Sequence, residues 1–265
     1  MLDRILTVAD NGWVELVKRK ALYILVATIL LGFIGPAYIQ NKWLLSAGAG
    51  SRAHLALRGT IFALDKFMLF IGLCASVLLA SGSIESEVSK RTLCSVMIRP
   101  IYRWEYLAGR ALSVILFFLT FALAAVICSY GAASMSGSSL PATFLWGVIQ
   151  RVCAGTAWIV IALSLASITS SASTVTLIVV VAILSVFTPH LSNDIHWIVP
   201  VFKQFLHYAT PCVWETDFLD KTAIGIKNQL LFENIAIALE NLMYSAVIFI
   251  GSSWAFTRRD LKLRD

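Results

Sequence analysis

Six apolar runs separated by short polar segments dominate the chain, at about residues 21–40, 61–82, 108–133, 142–168, 172–190 and 236–257. A helix rising ~1.5 Å per residue needs ~20 apolar residues to cross a hydrocarbon core of ~30 Å. The pattern therefore predicts an all-α integral membrane protein with six transmembrane helices. It leaves no room for a large soluble domain, and residues 1–265 read as one transmembrane domain.

Ahead of the first run, Leu2, Ile5, Leu6, Ala9, Trp13, Leu16 and Val17 recur at spacings of three and four, with Asp3, Arg4, Asp10, Glu15 and Lys18 on other faces. Residues 1–20 thus predict an amphipathic helix. Lys18, Arg19 and Lys20 beside the first span favour the lipid interface for it over packing on protein. A cleavable signal peptide is not expected, because these twenty residues precede the apolar run and no small-residue cleavage site follows a short core.

The first span contains Gly32, Gly35 and Pro36, which predict a weak or kinked outer half. Residues from Arg52 to Asp65 fit two readings, an outer connection or an outward extension of the second helix. Ser167–Thr174, an uncharged turn, makes the fourth and fifth spans antiparallel neighbours. Arg151 lies inside the fourth run, where a charge must face protein, water or headgroups. Alternatively, residues 142–151 form an interfacial helix from which Arg151 snorkels.

The segment 191–235 carries Pro200, Pro211, Trp197, Tyr208 and Trp214 among apolar stretches too short to cross, and reads as an outer loop with short re-entrant or interfacial helices. His190, Asp194 and His196 at its start are of metal-ligating types, but their spacing matches no metal motif. No phosphate-cradling glycine loop is present. Scattered His54, His190, His196 and His207 offer no recognisable nucleophile and base, so an intramembrane enzyme is disfavoured.

Composition agrees with the pattern: 58% of residues are hydrophobic and 14% charged, against ~25% charged in soluble domains. With both termini cytoplasmic, thirteen of the 21 Lys and Arg fall inside. These are Arg4, Lys18, Arg19, Lys20, Lys90, Arg91, Arg99, Arg103, Arg110, Arg258, Arg259, Lys262 and Arg264. The net charge of +6 thus reads as topology and contact with anionic membrane lipids, not nucleic-acid binding. Of Cys74, Cys94, Cys128, Cys153 and Cys212 only Cys212 falls in an outer loop, so a disulfide framework is not expected.

Between the second and third spans, residues Glu85–Arg110 form a dense charged stretch on the cytoplasmic side. Ser83 is suited to cap a helix beginning after Gly82, with Glu85 at its positive end. On a helix over 84–98, Glu87, Lys90 and Arg91 share one side and Val88, Thr92, Leu93, Val96 and Met97 the other. Pro100 then breaks the helical path at Arg99, and the next helix is expected to start around Trp104. Two readings follow, a docking surface for a soluble partner or a solvated interfacial loop.

This loop resembles that of the ABC-2 type permeases, the transmembrane subunits of ATP-binding cassette transporters. Their glutamate pair, Thr-Leu or Gly-Thr step, Pro followed by Arg, and Gly-Lys entering the third span correspond to Glu85, Glu87, Thr92, Leu93, Pro100, Arg103, Gly109 and Arg110. Arg91 stands where glycine is frequent and Arg110 where lysine is usual. Glu15, Lys18 and Arg19 at the start, and Tyr244, Phe256, Arg258, Arg259 and Asp260 at the end, are similar to the family's two ends.

The resemblance implies a permease subunit without a catalytic site, located in a bacterial cytoplasmic membrane and working as an exporter. It implies a dimer with a second copy or a homologous permease, and a separate ABC ATPase that binds ATP and Mg. Residues 84–103 would be the coupling helix loop, with Glu85, Glu87, Lys90, Arg91, Thr92, Leu93, Arg99, Pro100 and Arg103 meeting the ATPase. Few charges in the spans suit a lipid-like or amphipathic cargo. Arg52, Arg58 and the apolar outer segment are placed to meet periplasmic partners or headgroups. A membrane anchor for an ATPase-driven envelope complex is the alternative reading.

Overall fold

A computed structural model describes residues 2–18, 23, 26, 27, 51–89, 102–135, 140, 143–169, 171–187 and 229–258. These form helices α1 (Leu2–Lys18), α2 (Ser51–Ser89), α3 (Arg103–Met135), α4 (Thr143–Ile168), α5 (Ser171–Phe187) and α6 (Gln229–Arg258), with no strand among the described residues. Among the described residues, three stretches are long and apolar enough to cross a membrane: Asp65–Ile84, Arg103–Ser134 and Phe144–Ile168. The fifth expected span corresponds to α5, of 17 residues, and the sixth to α6. Most of the expected first span and most of the outer loop 191–235 lie outside the described residues.

α2 decides between the two readings of Arg52–Asp65, because it starts at Ser51 and runs for 39 residues. At ~1.5 Å per residue it is about 58 Å long, nearly twice the hydrocarbon core. The helix break expected after Gly82 is absent, which corrects the reading of Ser83 as a cap. Ser83 instead lies buried inside the helix and donates to the Ala80 carbonyl at 2.8 Å. Bonding its own helix satisfies the hydroxyl without ending the helix. Ser76, Ser113, Ser164 and Ser167 do the same toward Gly72, Arg110, Val160 and Ser164.

Among the described helices, α3 is central and contacts α1, α2, α4 and α6, while the most extensive pair is α4 with α6. Its aromatic residues fit against glycines of its neighbours. A Cβ on Gly72 of α2 would fall 2.6 Å from Phe121 Cβ, and one on Gly155 of α4 would meet the edge of the Phe118 ring. Small residues admit this approach where lipid supplies no hydrophobic drive toward association. Phe117 and Phe121 meet edge to face at 5.3 Å on the same helix. Tyr130 and Phe144 do so at 5.9 Å, where α3 gives way to α4.

The fourth and fifth spans join through a shorter turn than expected, since α4 continues to Ile168 and α5 starts at Ser171. The Thr169 and Thr174 hydroxyls bond across it at 2.8 Å. α1 packs along α3 rather than standing apart from protein. Val8, Ala9 and Gly12 are buried, while Leu6 and Val14 are exposed on another face.

Candidate functional site

The chain enters α3 through a reciprocal cap. Tyr102, just outside the helix, accepts from the Glu105 and Tyr106 amides at 2.9 and 3.2 Å. In return, the Glu105 carboxylate accepts from the Tyr102 amide at 3.1 Å. A glutamate three residues after the capping position satisfies an amide that the helix itself cannot, and its charge suits the helix's positive end. Glu105 is 2% exposed, and the Arg4 guanidinium of α1 stands 4.0 Å from it.

Next to this cap, Arg103 reaches to the other end of the sequence. Its Nη1 donates to the main-chain carbonyls of Phe256 and Thr257, at 3.3 and 3.1 Å. These belong to the last turn of α6, where carbonyls lack helical partners and the helix dipole is negative. Phe256 is buried there, and the Arg258 guanidinium lies 3.9 Å from the centre of the Trp254 ring.

α1 is seated on the same stretch of α3 by two glycines. A Cβ on Gly109 would fall 2.6 Å from Val8, and one on Gly12 would fall 2.7 Å from the Ser113 hydroxyl and 3.1 Å from Arg110 Nη1. Arg110 is buried, with its guanidinium 6.0 Å from the Tyr106 ring centre. The first turns of α3 thus gather α1 and the end of α6 at the charged end of the bundle.

Of the residues that the sequence marks for coupling, Glu85 and Glu87 lie on the last turns of α2. Lys90, Arg91, Thr92, Leu93, Arg99 and Pro100 lie outside the described residues. Arg103 is the first residue of α3 and is bonded to α6. Sequence reasoning missed Glu105, Tyr102 and Arg4 as partners. The signal for the first two was available: a glutamate three residues after Tyr102, just past Pro100, is the spacing of a cap.

A second polar feature lies inside the bundle. Arg151 on α4 pairs with Asp65 on α2, and its Nε donates to the Gly147 carbonyl at 3.0 Å. Arg151 is 8% exposed and Asp65 fully buried. Of the two readings of Arg151, the one in which it faces protein holds, and the snorkelling interfacial helix is corrected: α4 is continuous from Thr143. The pair fills one carboxylate oxygen, while Asp65 Oδ1 has no hydrogen-bond partner among the described residues.

Compared with known families, residues 6–261 match the family model described as ABC-2 family transporter protein. No curated protein matches the chain.

Proposed function

The chain belongs to the ABC-2 family of transporter proteins, and from that membership we propose that it is the permease subunit of an ATP-driven exporter. Two copies, or one copy and a homologous permease, form the pathway in a bacterial cytoplasmic membrane with both termini cytoplasmic. A separate ABC ATPase binds ATP and Mg and docks on Glu85–Arg103. The observation that carries this reading is the family match over nearly the whole chain. The clustering of α1, the start of α3 and the end of α6 around Tyr102–Arg110 supports it, because this cluster begins at the end of the proposed docking segment.

ATP binding closes the ATPase pair and shifts the docking segments, and the spans rotate as rigid bodies between two packings. The nucleotide biases these packings only by its different affinity for each. The scarcity of charge in the spans favours a lipid-like or amphipathic cargo. On the same reading, Arg52 and Arg58 meet periplasmic partners or headgroups.

Purification of the tagged chain from its native membrane tests this reading. A co-purifying ATPase whose hydrolysis is stimulated by the permease, with ATP-driven flux after reconstitution, is the expected result. A chain that isolates without an ATPase contradicts the reading. Bound ATPase without flux would favour the anchor.

A further inference from the structure

Arg103 falls within the proposed docking segment, yet its guanidinium is bonded to the end of another helix. The carbonyls of Phe256 and Thr257 that it reaches belong to a turn in which carbonyls have no helical donors. An arginine there supplies both hydrogen bonds and the charge that a helix C-terminus favours. The Tyr102–Glu105 cap ties Tyr102, the residue just before α3, to the same turn. Displacement of the segment before Tyr102 therefore moves the start of α3, and through Arg103 it pulls on the end of α6. α6 in turn has its largest contact with α4.

We propose that Arg103 is a positioning residue that carries the ATPase stroke from the start of α3 into α6 and α4, and does not itself contact the ATPase. The inference rests on the permease reading and refines it. It divides the charged segment into residues that receive the stroke, before Pro100, and one that distributes it. Glu105 and Arg4 serve the same turn on the side of α1.

The test uses the permease assembled with its ATPase, with the five native cysteines replaced. Spin labels at Ile168→Cys on α4 and Trp254→Cys on α6, both exposed positions, report their separation with and without trapped ATP. In R103A the ATPase is expected to stay bound, while permease-stimulated hydrolysis falls about threefold or more and the nucleotide-dependent change in separation shrinks. R103K, which keeps a cationic donor, is expected to recover part of both. A purely structural role would lower the thermal midpoint and leave the change in separation intact in folded complexes, and that result overturns the proposal. Release of the ATPase by R103A also overturns it, as would a parent complex in which the separation ignores nucleotide. A parent chain with no bound ATPase overturns this proposal and the permease reading together.

Discussion

Asp65 and Arg151, 86 residues apart in sequence, form an ion pair between α2 and α4 in which both side chains are buried. Neither charge is tolerable alone in a low-dielectric bundle. Their attraction offsets the loss of water only while both are present. The pair therefore fixes how α2 and α4 face each other more than it adds net stability.

Removing either partner is expected to be costly and removing both mild. D65A or R151A should lose about 3–5 kcal/mol, since each strands a buried charge, whereas D65L/R151M should regain most of it or exceed the parent. Unfolding in detergent, run as a double-mutant cycle, measures the coupling. Additive losses would mean that the two side chains do not act as a pair.

The fit of α4 on α3 predicts an overpacking effect at a position that looks harmless. G155A places a methyl group against the Phe118 ring and should destabilise by about 1–3 kcal/mol. The F118L change in the same chain should return part of that loss, as thermal unfolding would reveal. Equal stability of G155A and parent would place the ring elsewhere.

At the start of α3, hydrogen bonding and charge separate cleanly. E105Q keeps an acceptor for the Tyr102 amide but loses the charge facing Arg4, whose side chain is 47% exposed. Its loss should be at most about 1 kcal/mol. E105A removes the acceptor as well and should cost about 1–3 kcal/mol. Hydrogen exchange of the first turn of α3 should accelerate in E105A and change little in E105Q.

For the proposed docking segment, the E85Q/E87Q variant is expected to weaken ATPase binding by about tenfold or more at low salt, mainly through charge lost at the contact. Binding of the parent should itself weaken as salt rises. Pull-down titrations at two ionic strengths measure both effects. Undiminished binding would move the docking site away from Glu85 and Glu87.

Much of the helical framework was legible because long apolar runs dictate it. The fourth run was expected at 142–168 and is α4 at Thr143–Ile168. The break at Pro100 put the next helix near Trp104, one residue from its start at Arg103. Ser83 was misread for a local reason. Serine favours caps in water, but inside a continuous apolar helix its hydroxyl is satisfied by the carbonyl three residues back.

By itself the sequence determined the class of protein, most of the described helices and the charged segment that begins in the last turns of α2, since these depend on hydropathy and on local backbone rules. Tertiary structure alone decided that Arg151 meets Asp65, that Glu105 faces Arg4, and that Arg103 turns to the carbonyls of α6 rather than to water. Such pairings depend on the rotation and register of whole helices. Those are set where Gly72, Gly109 and Gly155 let one helix approach another, a steric fit between distant segments that no local pattern encodes.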